Sequence, residues 1–282
     1  MPELPEIQTT VSGLQLIINK HITNIKINTK KLRYVVPKNI IKVSNNRKII
    51  KVYRIAKYII FTLSGGVTLI FHLGMSGRIR LLKKNDYKMI KHDHILIYLN
   101  NKNTLVFNDP RKFGFIDFSI TSDLVNKKYF LKLGLDPFEK NLNTSYLLSK
   151  FKNSRSPIKQ LLLNQKIISG IGNIYACEIL YDAKISPFIS GSYLNTRMIE
   201  RLITSMRKIL NKAILSGGTT IRNYVSADGT LGNFQTKFKV YNKEGKKILK
   251  FRIKRVKQCG RSTFFCPNLQ KSQYNPKISN YN

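Results

Sequence analysis

Near residue 120 the apolar residues of this 282-residue chain change their period, and that change constrains the fold more than any other feature. Before it, short β-branched and aromatic runs sit between turn signals, at 22–28, 49–55, 58–63, 67–73, 78–82, 94–99, 104–108 and 113–118. Ser64-Gly65-Gly66 and Asn100-Asn101-Lys102-Asn103 read as hairpin connections. Many short strands at this spacing predict a β-sandwich. Ahead of them Leu4, Ile7, Val11, Leu14 and Ile18 recur at helical spacing, so a helix leads in. After the change, 145–151, 156–163, 173–183 and 196–215 read as helices, the last through Met198, Leu202, Met206, Ile209, Leu210 and Ala213. Ser216-Gly217-Gly218 ends that helix, and Thr219-Thr220 could cap a short one after it. Residues 240–270 alternate apolar and basic side chains, as a basic hairpin would.

The expected fold class is therefore α+β, with an N-terminal helix and β-sandwich over 1–120 and a helical region over 146–235. A linker at 121–145, around Gly134-Leu135-Asp136-Pro137, joins them; a hairpin segment at 236–271 and a disordered tail at 272–282 follow. No apolar run approaches the ~18 residues a membrane span needs. The start lacks a basic-then-apolar signal pattern, and Cys177, Cys259 and Cys266 are too few for a disulfide framework. Both point to the cytosol.

Net charge is +36, from 50 basic against 14 acidic residues, which points to a polyanion and by default to nucleic acid. Abundant Lys, Asn and Ile fit an AT-rich coding bias, but bias does not explain the scarcity of acids. Between Glu6 and Asp86 there are sixteen Lys and Arg and no acid, which makes the first two carboxylates conspicuous.

Those carboxylates belong to Met1-Pro2-Glu3-Leu4-Pro5-Glu6. Removal of Met1, which a small second residue permits, exposes Pro2 as a free secondary amine. At the positive end of a helix the field favours its neutral, nucleophilic form. Glu3 and Glu6 lie within one turn and can give or take a proton. The plainer alternative is a good helix start: Pro5 is tolerated in the first turn, and acids match the dipole.

Further motifs follow in order: Ala56-Lys57-Tyr58, His72-Leu73-Gly74-Met75-Ser76-Gly77, His92-Asp93-His94, Asp109-Pro110-Arg111-Lys112-Phe113-Gly114, Gly170-Ile171-Gly172-Asn173-Ile174-Tyr175-Ala176 and Arg261-Ser262-Thr263-Phe264-Phe265-Cys266. Together with the N-terminus they resemble bacterial formamidopyrimidine-DNA glycosylase, over residues 1 to about 271. The resemblance implies base-excision repair of 8-oxoguanine and ring-opened purines in double-stranded DNA, with β,δ-lyase activity, by a monomer bound to the bacterial nucleoid. It also implies that the helical region is a helix–two-turn–helix domain and the C-terminal hairpin a finger.

Carried over residue by residue, Pro2 is the nucleophile, Glu3 the general acid, Glu6 a support for the helix start, and Lys57 an aid to base or phosphate departure. A secondary amine forms only a charged Schiff base, a ready electron sink for elimination. Met75, Arg111 and Phe113 match the trio that fills the gap left by an extruded base. Met75 and Phe113 could equally be core residues, though their turn-like settings favour exposed loops. Asn173, His92 and Arg155 align with DNA contacts, Lys159 is a further candidate, and Arg261 is the finger arginine that reaches the site. Asp93 and His94 read equally well as structural strand residues. Residues 226–235 match the loop that closes over the everted base.

One departure stands out. The family's finger holds structural zinc with two Cys-x2-Cys pairs, and here those positions are Ile248, Phe251, Cys266 and Leu269. A structural zinc needs four ligands. The expectation is a finger without metal, cohered by apolar side chains, and no cofactor for the chemistry. Two other readings stay open: an endonuclease VIII-like enzyme for oxidised pyrimidines, and a DNA-binding remnant without catalysis.

Overall fold

A computed structural model describes residues 2–218 and 234–271. The chain forms two compact units, Met1–Leu131 with Ala213–Gln235, and Lys132–Lys212 with Thr236–Asn282.

The first unit opens with α1 (Leu4–Gly13), followed by β1 (Ile22–Ile27), the short α2 (Ile40–Ser44), β2 (Ile49–Ile55), β3 (Tyr58–Leu63), β4 (Val67–His72), β5 (Arg78–Lys83), β6 (Asp93–Leu99), β7 (Asn103–Asn108) and β8 (Phe115–Ile120). The strands form two four-stranded antiparallel sheets, ordered β1-β6-β7-β5 and β2-β3-β4-β8. All eight expected strands form, and the sandwich core lies between the sheets, with Ile25, Ile79, Ile97 and Phe107 from one and Phe61, Leu69, Phe71 and Ile116 from the other. The runs Tyr58–Leu63 and Val67–His72 are almost continuously apolar because both faces are covered. Phe61 and Phe71 face the sandwich core, while Ile60 and Ile70 face a second cluster with Leu124, Tyr129 and Phe130.

α1 differs from its sequence pattern at the C-terminal end. Helical spacing runs on to Ile18, but the helix stops at Gly13 and a 3-10 turn covers Gln15–Ile17. Glycine is a poor helix interior residue, and the Gln15 amide donates to the Val11 carbonyl (2.8 Å) and the Val52 carbonyl (3.1 Å), tying the helix end to β2. Leu14 and Ile17 stay fully buried, so the apolar stripe survives the change of helix type.

In the second unit come α3 (Thr144–Phe151), α4 (Ile158–Leu163), α5 (Asn173–Asp182) and α6 (Thr196–Leu215), whose last residues belong to the first unit. Asn143 and Asn195 accept from the Tyr146 and Met198 N–H groups and so start α3 and α6. The stretch expected as a linker is packed: a Cβ on Gly134 would lie 2.3 Å from the Ile167 carbonyl carbon, and Leu135 bridges Ile168. The single hairpin expected near the C-terminus is two, β9 (Lys247–Ile248) with β10 (Phe251–Arg252) and β11 (Lys254–Gln258) with β12 (Arg261–Phe265). Of the segments singled out in the sequence, Thr219-Thr220, 226–233 and the tail 272–282 lie outside the described residues. No helix among the described residues is long and apolar enough to cross a membrane.

Candidate active site and nucleic-acid interface

Pro2 is buried, and Glu3 and Glu6 are each 2% exposed. Glu3 is the N-cap of α1 in extended conformation, and the two acids form a reciprocal capping box. The Glu6 Oε2 accepts from the Glu3 N–H at 2.9 Å, and the Glu3 carboxylate accepts from the Glu6 N–H. The helix-start reading of this stretch and the chemical one therefore coexist: the capping geometry fixes the backbone from which Pro2 and the Glu3 carboxylate project. Gly218, at φ +72°, approaches the same turn so closely that a Cβ there would lie 3.3 Å from the Glu6 Cα. Its carbonyl accepts from the Phe234 N–H at 3.0 Å.

Lys57 lies in the two-residue turn between β2 and β3, where Ile55 pairs with Tyr58. It is 8% exposed, an unusual burial for a lysine. Ala56 sits at φ +50°, a left-handed conformation that needs support in a residue with a Cβ. Arg54 supplies it, donating from Nη1 to the Ala56 carbonyl (3.1 Å) and from Nε to the Gln8 Oε1 of α1 (3.2 Å). The turn that carries Lys57 is thus tied to the helix that carries Pro2 and Glu3. Neither Gln8 nor Arg54 stands out in the sequence, since a strand arginine reads as solvated until its partners are known. His72, across the ladder from Tyr58, has its pKa lowered to about 4 by burial and then by the charges of Arg33 and Lys57. Its neutral ring accepts at Nδ1 from the Gly74 N–H (3.1 Å) and stacks on Phe115.

Met75 and Phe113 are 42% and 43% exposed, on the loops between β4 and β5 and between β7 and β8. They are not core residues. The Arg111 guanidinium lies over the Phe113 ring at 4.8 Å, a cation–π contact that gathers both side chains on one loop. His92 is partly exposed at φ +74°, beside two structural neighbours. Asp93 is buried and accepts from Arg80 (2.7 and 2.9 Å), Tyr87, the Ile90 N–H and Asn108. His94 Nε2 lies 2.9 Å from the Asp109 carbonyl.

In the second unit, Gln165 folds the loop before α5: it accepts from the Gly170 N–H (2.9 Å) and donates to the Ile171 carbonyl (2.8 Å). Gly170, at φ +90°, permits the turn. Asn173 follows at the start of α5, donating to the Ser262 carbonyl at 2.9 Å, while its buried Oδ1 has no hydrogen-bond partner among the described residues. Arg155 is exposed just before α4. Lys159 corrects an expectation. It is 1% exposed, and its ammonium donates to the Ser262 carbonyl (3.0 Å) and to Thr263 Oγ1 (2.7 Å), so it anchors β12 instead of meeting a phosphate at the surface. Arg261, next to the doubly gripped Ser262, is exposed and lines an open cavity of about 400 Å³ with Ser156, Lys159, Asn164 and Gln258.

The finger positions do not fit a zinc ion. Ile248 packs against a cluster of Cys177, Val240, Ile253 and Phe264, with Tyr181 and Tyr241. Phe251 and Leu269 are half-buried but stand outside that cluster, so the expected apolar replacement uses Ile248 alone of the three. Cys266 is fully buried, its N–H donating to Gln270 Oε1 and its carbonyl accepting from the Gln270 N–H. Among the described residues no three His, Cys, Asp or Glu side chains stand close enough to hold a metal. Glu178 carries no signal in the sequence, yet it organises the start of this region. Buried in α5, it accepts from the N–H groups of Lys239, Val240 and Tyr241 at 2.8–2.9 Å. Burial pushes its carboxyl up from the ordinary range, while the three donors pull it down.

Residues 1–116 match the model of the formamidopyrimidine-DNA glycosylase N-terminal domain, and residues 133–225 that of the formamidopyrimidine-DNA glycosylase H2TH domain. A formamidopyrimidine-DNA glycosylase of Rickettsia africae is 42% identical over 275 residues, covering 96% of this chain and 100% of the relative. Among solved structures, a Lactococcus lactis enzyme of that name, in a variant bound to DNA containing Fapy-dG, matches with a TM-score of 0.88 at 34% identity, over 96% of this chain and 100% of that one. The wild-type L. lactis protein bound to DNA containing an oxidised pyrimidine matches with a TM-score of 0.87 at 32% identity and the same coverage. On these matches the chain belongs to the formamidopyrimidine-DNA glycosylase family.

Proposed function

We propose that this chain removes oxidised purines, 8-oxoguanine and formamidopyrimidines, from double-stranded DNA and then cleaves the strand at the abasic site it has made. The observation that carries this reading is the head of α1, where Pro2, Glu3 and Glu6 are buried in one turn of a chain of net charge +36.

With Met1 removed, the Pro2 nitrogen attacks the sugar C1′ and the bond to the damaged base breaks; the base leaves with the electron pair and takes up the proton that the alkylated Pro2 nitrogen gives up. Burial and the helix field keep that amine neutral and nucleophilic. Glu3, held by the capping box, donates a proton to the sugar ring oxygen as the ring opens, leaving an iminium between Pro2 and C1′. A secondary amine cannot shed this charge by losing a proton from nitrogen, so the iminium draws electrons and the 3′ and then the 5′ phosphate are eliminated. Lys57, buried in its turn, assists departure of base or phosphate. Met75, Arg111 and Phe113 fill the gap in the duplex, with Arg111 facing the orphaned cytosine. His92, Arg155 and Asn173 hold phosphates and set register. The family resemblance gives Arg261 a part in handling the lesion, from a finger that works as a metal-free element, a reading supported by the single Cys among its four zinc positions. The protein acts as a monomer on DNA in the bacterial cytoplasm.

Borohydride trapping on a duplex with one 8-oxoguanine opposite cytosine tests this. A lesion-dependent covalent adduct is expected and should vanish in Pro2→Gly. No adduct on that duplex or on one with an abasic site would overturn the enzyme in favour of a DNA-binding remnant. The L. lactis relative bound to oxidised-pyrimidine DNA favours a second reading, in which pyrimidine lesions are also taken. An adduct formed with thymine glycol and not with 8-oxoguanine would make that reading the primary one. Elemental analysis giving stoichiometric zinc would overturn the metal-free finger.

A further inference from the structure

We infer that Asp109 is a positioning residue that locks the Met75 loop and the Arg111–Phe113 loop into one wedge, so that all three side chains enter DNA as a unit. The inference rests on the reading that this trio fills the space of an extruded base.

Asp109 is fully buried, and its carboxylate spans both loops. Oδ1 accepts from Ser76 Oγ at 2.6 Å, directly after Met75 in the chain, and from the Arg111 N–H at 3.3 Å. Oδ2 accepts from the Gly114 N–H at 2.7 Å, at the far side of Phe113. Ser76 Oγ closes the ring by accepting from the Arg111 N–H at 3.2 Å. One carboxylate thus holds the root of the first loop and both ends of the second, with the intervening side chains left exposed. The two short bonds to the carboxylate, from Ser76 and from the Gly114 N–H, are charge-assisted and away from water, the stronger kind.

The backbones also touch. A Cβ on Gly74 would lie 2.4 Å from the Gly114 nitrogen, and one on Gly114 would lie 2.6 Å from the His72 carbonyl. The same residue reaches a third DNA-facing element, since the Asp109 N–H donates to the His92 carbonyl at 3.1 Å. With no slack between the loops, a wedge residue has no means of entering alone. The expected consequence is that base extrusion and recognition of the opposite base fail together when the lock is cut, while the chemistry at Pro2 does not.

The test compares wild type with Ser76→Ala, Ser76→Thr and Asp109→Asn in single-turnover excision of 8-oxoguanine opposite cytosine and opposite adenine. A single-stranded oligonucleotide with an abasic site, which needs no wedge, reports the chemistry. Ser76→Ala is expected to slow excision opposite cytosine about tenfold and to shrink the cytosine-over-adenine preference by a similar factor. Cleavage of the single strand should stay within about twofold of wild type, and Ser76→Thr should restore both duplex values. Retention of rate and preference in Ser76→Ala would overturn the lock, as would a proportional loss on the single strand. If Asp109→Asn does not fold, the Ser76 pair carries the test alone. Should wild type excise from neither duplex, the functional reading fails, and amide exchange then judges the lock by itself. Ser76→Ala should release protection at Arg111 and Gly114 together, and unchanged protection would refute it.

Discussion

His72 is held neutral by its surroundings, and that has a sign in solution. Its pKa falls from 6.5 to about 4, through burial first and the Arg33 and Lys57 charges next, with Asp109 pulling the other way. Between those values the unfolded chain binds a proton that the native protein does not, so stability is complete above the upper value and declines as pH falls toward the lower. His72→Gln, whose amide oxygen can still accept from the Gly74 N–H, should flatten the dependence of urea midpoint on pH across that window. An unchanged slope would acquit His72 as its source. Two glycines separate backbone strain from collision. A Cβ on Gly66 (φ +70°) would meet open space, whereas at Gly74 (φ +63°) it would meet backbone atoms at 2.4 Å. Gly66→Ala should cost about 1 kcal/mol and Gly74→Ala at least about 3, read from denaturant midpoints.

At the level of elements, Glu178 carries the start of the finger. In Glu178→Gln the amide oxygen can keep the Val240 and Tyr241 donors, but the N–H₂ then faces the Lys239 N–H, and the expected loss is about 1–3 kcal/mol. Amide exchange at Lys239, Val240 and Tyr241 should accelerate while α1 keeps its protection, and uniform acceleration would mean that the substitution unfolds more than the finger. Elements built on period and turn chemistry are legible in the sequence: the eight sandwich strands and four later helices follow their apolar patterns. What escapes is set by residues without a local signal. The first of the two hairpins turns at Leu249, which adopts φ +55° and is 81% exposed, and nothing in a leucine announces a left-handed turn. Lys159 reads as a surface cation because its partners Ser262 and Thr263 lie about a hundred residues away in the chain. Arg54 and Gln8 escape for the same reason, although Pro2, Glu3 and Lys57, set in their motifs, do not.

For the whole molecule, a charge of +36 makes association with any duplex strongly dependent on salt. Displacement of condensed counterions should give a slope of about −4 or steeper in log K against log salt for undamaged DNA. A slope near zero in a fluorescence titration would leave the charge as mere coding bias. The finger's cohesion has another consequence. Agents that create oxidised bases also attack zinc thiolates, so a metal-bound finger fails under the very stress its enzyme answers. Here the thiols of Cys177 and Cys266 are buried, Cys259 alone is exposed, and Ile248, Val240, Ile253 and Phe264 carry the packing. If the finger is metal-free as proposed, it has no sulfur–metal bond to lose, and repair capacity should outlast a peroxide burst that silences metal-dependent counterparts.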